Sequence, residues 1–254
     1  MNNYVQQMVY SFGAQNVVDY DQGQDSRLQD DPVLTGNGWC FGMSVHWLIA
    51  KKNGTDFWSW LQTNEAVAKI RFLMARQAIG GMKGDSWLDA SQAANGYLKS
   101  NGLSRMTSPV SMDARQNHNG SSTAIRDKLT TSAGPFSLIK LSGNAPHAMA
   151  AWRKPNGNVV LMDPNAGEFE FDTANHFRDF FRHLLAEWKP FNDHGTMKSY
   201  MEMDPTFRVD KYSTGAWAAT TPKVGSTGGK GKLFLGLQRI PPKNRGIVIG
   251  KKGG

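Results

Sequence analysis

One cysteine, Cys40, is all that the 254 residues contain, so no internal disulfide can form and the fold does not depend on an oxidising compartment. Uncharged apolar runs of membrane-spanning length are missing. The opening Met1-Asn2-Asn3-Tyr4-Val5 lacks the basic start and apolar block of a signal peptide. A soluble protein is therefore expected. No repeat period appears. Acidic residues are absent from residues 211–254, which hold nine lysines and arginines, so the formal +8 of the whole chain resides there and the first 210 residues net −1. Two nucleic-acid or nucleotide motifs are only approached in that segment. Thr227-Gly228-Gly229-Lys230-Gly231-Lys232 never reaches the G-x-x-x-x-G-K-[ST] spacing of a phosphate loop. Gly250-Lys251-Lys252-Gly253 has the form of an RNA-clamping loop but no helix to follow it.

What is present suffices for one sizeable core, since 39% of the residues are hydrophobic and eight tryptophans and 13 phenylalanines are among them. Periodicity and capping predict helices over 40–52, 56–79, 85–100, 122–132 and 173–188. Strands are predicted over 135–141 and at Gly167-Glu168-Phe169-Glu170-Phe171. Further strand-like runs, 232–240 and 246–250, lie in the basic segment. Residues 1–210 are read as the main domain, and 211–254 as a basic, glycine-rich segment packed on it or extending it. Such a segment suits an anionic partner, a membrane surface, cell-wall polymer or nucleic acid; the competing reading is a solvated tail.

The cysteine stands where a glycine-broken loop, Gly36-Asn37-Gly38-Trp39, runs into the apolar helical pattern that begins at Cys40. Backbone N–H groups at a helix start carry partial positive charge and leave donors free, which favours a thiolate. The alternative is a small buried core residue.

A histidine more than a hundred residues downstream tilts that choice. His147 opens the run His147-Ala148-Met149-Ala150-Ala151-Trp152, and after Lys154-Pro155-Asn156-Gly157-Asn158 a second run, Val159-Val160-Leu161-Met162, ends in Asp163. A three-residue loop fits this hairpin, because proline suits the first turn position and glycine the left-handed one. Pairing Lys154 with Asn158 sets Met149 opposite Asp163, and alternation then puts His147 and Asp163 on one face as diagonal neighbours. A two-residue Asn156-Gly157 loop would send them to opposite faces. Thiol, imidazole and carboxylate together have a chemical use: nucleophile, proton carrier and orienting acid. The other histidines do not compete. His46 lies six residues past Cys40 at a different helical azimuth, and His176 and His183 are seven apart, wrong for one metal-gripping face. His118 and His194 are placed in polar loops. No metal or cofactor is called for.

Three stretches carry a resemblance: Gly38-Trp39-Cys40-Phe41-Gly42-Met43-Ser44-Val45-His46-Trp47, His147-Ala148-Met149-Ala150-Ala151, and Met162-Asp163-Pro164-Asn165-Ala166-Gly167-Glu168-Phe169. On them the chain resembles the YopT/AvrPphB-type cysteine proteases of bacterial effectors, in the papain-like clan. The resemblance covers residues 30–190. It implies an α+β papain-like fold, in which a helical part carrying the cysteine packs on an antiparallel sheet carrying the histidine and aspartate. It also implies Cys40 as nucleophile, His147 as general base and acid, and Asp163 as orienter. Papain-like enzymes pair the cysteine's own backbone N–H with an upstream amide in the oxyanion hole, which makes Asn37 the nearest candidate, with Gln24 and Gln29 also upstream.

The expected function is thus a secreted effector or toxin that cleaves a protein in a recipient cell through a thioester on Cys40. A specialised secretion system would release it without a cleavable signal peptide, and a cognate immunity protein or chaperone is a further expected partner. The same triad could instead deamidate or transglutaminate glutamine, or hydrolyse peptidoglycan amides. A non-catalytic adhesion or scaffold module is the third reading.

Overall fold

The computed structural model describes residues 3–29, 39–81, 88–106, 110–113, 118–130, 134–142, 146–193, 195–203 and 206–215. The strand-like runs expected in 232–240 and 246–250 lie outside them, as do Asn37 and His194. Spatially the chain divides into 1–219 and 220–254, and the sheet and its helices belong to the first unit.

The centre of that unit is an antiparallel sheet. Strands β1 (Ala14–Asp19), β2 (Ser104–Arg105), β4 (Phe136–Ser142), β5 (His147–Arg153), β6 (Val159–Asp163), β7 (Gly167–Phe171) and β10 (Thr206–Ser213) lie in the order β1-β7-β6-β5-β4-β10-β2, and β3 (Val110–Asp113) also pairs with β10. A separate hairpin joins β8 (Phe191–Asp193) to β9 (Thr196–Lys198). Residues on both sides of position 210 share β10. The outer strand β1, for which the sequence offered no signal, pairs with β7 from more than 140 residues away.

Helices cover both faces. On one lie α3 (Cys40–Asn53), α5 (Asn64–Gly81) and α6 (Leu88–Ser100), packed on Phe136, Leu138, Ala148, Ala150, Val160 and Met162. On the other lie α1 (Asn3–Ser11), α7 (His118–Thr130) and α8 (Ala174–Ala186), packed on the alternate residues Ile139, Leu141, Met149, Ala151, Leu161 and Phe169. A single turn, α2 (Ser26–Gln29), comes between β1 and α3 in the chain. A sheet covered twice reads as continuous rather than alternating apolarity. All five residues of β6 are accordingly buried.

Helix α3 is buried on every side from Cys40 to Ala50, as a helix apolar all round must be. Gly54, in the left-handed region at φ 68°, ends it as predicted. Gly42 lets it approach α5 closely, since a Cβ there would lie 2.9 Å from Ile70 Cγ2. Two expectations need correction. The single helix over 56–79 is two, α4 (Phe57–Leu61) and α5, because Asp56 caps the first and the Thr63 hydroxyl accepts the Ala66 N–H at 3.2 Å to start the second. His118 begins α7 instead of lying in a loop.

Candidate active site

Three local structures bring the predicted residues together. Cys40 is the first residue of α3, and the side chain of Trp39, at the cap position, makes no capping hydrogen bond. His147 opens β5, and Asp163 closes β6. Lys154 N–H donates to Asn158 O at 2.8 Å and Gly157 N–H to Lys154 O at 3.0 Å, so the connecting loop is the three-residue form, with Gly157 at φ 95°. Arg153 pairs with Val159 and Ala150 with Met162, the register in which His147 and Asp163 share a face. The two side chains meet, His147 Nε2 lying 2.8 Å from Asp163 Oδ1.

The imidazole also interacts with the Cys40 side chain. With Nε2 committed to the carboxylate, Nδ1 is the nitrogen left for sulfur. Burial works against a charged ring here, but Asp163 and Cys40 outweigh it and raise the His147 pKa. All three groups are withdrawn from solvent: Cys40 is 4% exposed, His147 2% and Asp163 0%.

A second set of residues, which no local sequence pattern singled out, fixes the acid. Tyr200 donates its hydroxyl to Asp163 Oδ2 at 2.8 Å and accepts from Asn165 Nδ2 at 3.1 Å. Its ring lies 5.1 Å from that of His147. Burial and the Asp163 charge raise the Tyr200 pKa well above the ordinary phenol value, so the hydroxyl keeps its proton. Asn165 N–H gives Asp163 Oδ1 a further bond at 2.9 Å. The turn that holds these groups depends on Gly167, at φ 111°, where a Cβ would fall 2.1 Å from Val18 O.

Gln22 links this turn to the nucleophile. Its Nε2 donates to Asn165 Oδ1 at 2.5 Å, its Oε1 accepts the Trp39 N–H at 3.0 Å, and its own N–H donates to Pro164 O at 2.8 Å. The other upstream amides are placed otherwise: Gln24 is exposed, and the side chain of Gln29 lies outside the described residues. Gln22 and Gln24 bracket one glycine in a single 3-10 turn, and only tertiary packing tells them apart. On the nucleophile side, Ser44 Oγ donates to Ala148 O at 3.1 Å and pins α3 against the strand that begins with His147.

The remaining histidines serve packing or surface pairing. His46 is buried between Trp60 and Tyr97, and desolvation, with Lys69 nearby, lowers its pKa to about 4. His176 and His183, on α8, pair with Asp172 and Glu187 just beyond its two ends.

Fold and site together define a papain-like α+β chain with a cysteine at a helix start facing a histidine and aspartate on a sheet. Residues 6–201 match the peptidase C58 family, described as Yersinia/Haemophilus virulence surface antigen, and the chain belongs to that family. It is similar to the cysteine protease YopT of Yersinia pestis, 26% identical over 161 residues that cover 58% of this chain and 49% of that protein. It is also similar to cysteine protease yopT1 of Yersinia enterocolitica, 25% identical over 167 residues covering 60% and 51%. The chain thus spans about half the length of the curated relatives it matches. Among solved structures, that of the Pseudomonas avirulence protein AvrPphB superposes with a TM-score of 0.54 at 17% identity, covering 72% of this chain and 95% of that one. This likeness establishes the fold. No helix among the described residues is long and apolar enough to cross a membrane.

Proposed function

We propose that the chain is the catalytic unit of a bacterial effector cysteine peptidase in which Cys40 is the nucleophile, His147 the general base and acid, and Asp163 the orienting carboxylate. One observation carries the reading: the ring of His147 engages Cys40 while its Nε2 lies 2.8 Å from Asp163 Oδ1.

The steps follow from those contacts. The raised His147 pKa favours the imidazolium, and the thiolate is the form of a cysteine that attacks carbon. The thiolate attacks the carbonyl carbon of a peptide bond, and the oxygen gains a negative charge. The Cys40 N–H, in the first turn of α3, is a donor for that oxyanion. Asn37 is retained as the proposed side-chain donor. His147 passes its proton to the leaving amine as the C–N bond breaks, and a thioester remains on Cys40. Neutral His147 then deprotonates water, which attacks the thioester, releases the acid and restores the thiolate–imidazolium pair. Asp163, fixed by Tyr200 and the Asn165 N–H, keeps Nε2 bonded and Nδ1 directed at sulfur throughout.

The substrate in this reading is a protein in a recipient cell, reached through a specialised secretion system. The basic stretch 211–254 adds an affinity for an anionic surface. Mass spectrometry of candidate targets exposed to wild type and Cys40→Ala tests the reaction. A backbone cut that depends on Cys40 supports it. A one-dalton gain on glutamine would reassign the triad to deamidation, muropeptide release to wall hydrolysis, and products unchanged by Cys40→Ala would remove the triad from the chemistry.

A further inference from the structure

A chain of hydrogen bonds runs around the site from the residue before the nucleophile to the general base. Gln22 Oε1 accepts the Trp39 N–H at 3.0 Å, and Gln22 Nε2 donates to Asn165 Oδ1 at 2.5 Å. Asn165 Nδ2 donates to the Tyr200 hydroxyl at 3.1 Å, Tyr200 donates to Asp163 Oδ2 at 2.8 Å, and Asp163 Oδ1 meets His147 Nε2 at 2.8 Å. Each link sets a donor against an acceptor.

The first link decides the direction of the others. A backbone N–H can only donate, so the Gln22 amide must turn its oxygen to Trp39 and its NH2 group to Asn165. Asn165 must then present Oδ1 to Gln22 and Nδ2 to Tyr200, whose oxygen becomes an acceptor and whose one proton goes to Asp163. Without the Trp39 end, Asn165 has a second usable orientation, in which its Oδ1 draws the Tyr200 proton away from Asp163. The phenol and carboxylate oxygens would then oppose each other away from water, since Asp163 is 0% exposed and Tyr200 1%.

Gln22 itself stands on a surface turn. It opens the 3-10 turn Gln22–Gln24, where the Asp21 side chain accepts the Gly23 N–H at 2.8 Å. Its own N–H donates to Pro164 O at 2.8 Å. The backbone of Gln22 is thus anchored on the turn that follows Asp163, and its side chain on the loop that leads to Cys40. Being only partly buried, the residue can be replaced without opening either core.

We propose that Gln22 is a positioning residue that sets the proton direction of this chain, so that Tyr200 donates to Asp163 and the carboxylate holds His147 with Nδ1 toward Cys40. The role rests on the peptidase reading of Cys40, His147 and Asp163. Gln22 acts through Asn165 and Tyr200 and not on the substrate.

The test is steady-state kinetics on a peptide that wild type cleaves, with Gln22→Glu and Gln22→Met each alone and combined with Tyr200→Phe. The glutamate carboxylate keeps an acceptor for the Trp39 N–H but has no proton for Asn165, whereas methionine keeps the length and replaces neither bond. Each should lower kcat about tenfold with KM little changed, the worth of the one directed hydrogen bond lost at Asp163. In the Tyr200→Phe background the proton to be directed is already gone, so either change should lower kcat by less than about twofold further. A Gln22→Glu variant with the wild-type kcat would overturn the positioning role and leave the peptidase reading standing, and so would losses that multiply with that of Tyr200→Phe. Failure of wild type to cut any peptide of a proteome-derived library would overturn both.

Discussion

The Tyr200 hydroxyl is bonded to Oδ2 of Asp163 at 2.8 Å, while Oδ1 of the same carboxylate meets His147 Nε2 at 2.8 Å. Each oxygen of the acid thus has its own fixed partner, and the imidazole plane inherits that rigidity. Removing the hydroxyl in Tyr200→Phe keeps the ring against His147 but leaves a buried carboxylate oxygen short of a donor. We expect kcat to fall about tenfold with KM little changed, since roughly 1–3 kcal/mol of orientation is lost from the acid and not from substrate contacts. Steady-state kinetics on a cleaved peptide decide it; an unchanged kcat would show that Asp163 is held well enough by Asn165.

The second expectation concerns the sulfur. A protonated imidazole beside Cys40 favours the nucleophilic form of the thiol at pH values where an unassisted cysteine, with a pKa of about 8.5, is almost entirely protonated. Iodoacetamide should therefore modify Cys40 of the native protein at pH 6. The rate should drop at least about tenfold in His147→Ala. Modification that sets in only near pH 8–9 would break the proposed pairing. Because Cys40 is 4% exposed, the same measurement reports whether a small electrophile reaches the sulfur.

How much of this was legible depends on whether the signal is local. The meeting of His147 with Asp163 was readable because Pro155 and Gly157 select a loop, the loop selects a register, and alternation does the rest. The start of α3 at Cys40 and its end at Gly54 were readable from the same kind of punctuation. Tyr200 was not. It reaches Asp163 across 37 residues from a segment whose local pattern says nothing of the site. Gln22 was hidden among neighbouring glutamines, and β1 depends wholly on pairing with a distant strand. The break between α4 and α5 escaped a periodicity argument because both helices carry the apolar spacing and only the Asp56 and Thr63 caps divide them.

Glu168 shows the limit of reading alternation as inside and outside. It alternates with Phe169 as a polar strand residue should, yet it is 2% exposed, because α3 covers its face of the sheet. Its carboxylate accepts Trp47 Nε1 at 2.7 Å and Trp58 Nε1 at 2.8 Å, and pairs with Lys51 Nζ at 2.5 Å. These three bonds tie the far end of α3 and the start of α4 to β7. Glu168→Ala should lower stability by about 3 kcal/mol through lost charged hydrogen bonds. The corresponding drop in Tm is roughly 6–12 °C for a unit of this size. Differential scanning calorimetry measures it, and a shift under a degree or two would mean that water replaces the carboxylate at no cost.

His46 supplies a pH dependence whose sign can be worked out. Desolvation between Trp60 and Tyr97, with Lys69 adding to it against the weaker pull of Glu65, lowers its pKa from 6.5 to about 4 in the folded protein. Between those values the unfolded chain binds more protons than the folded one, so stability contributed by neutral His46 is present above pH 6.5 and is lost as pH falls toward 4. The loss from this residue between pH 7 and 4.5 should be about 2 kcal/mol. A His46→Leu variant cannot take up the proton, so its stability should fall less over the same interval. Urea denaturation at a series of pH values gives both curves. Parallel curves for wild type and variant would mean that His46 is protonated in the folded state without penalty, and that the acid sensitivity of the protein lies with other groups.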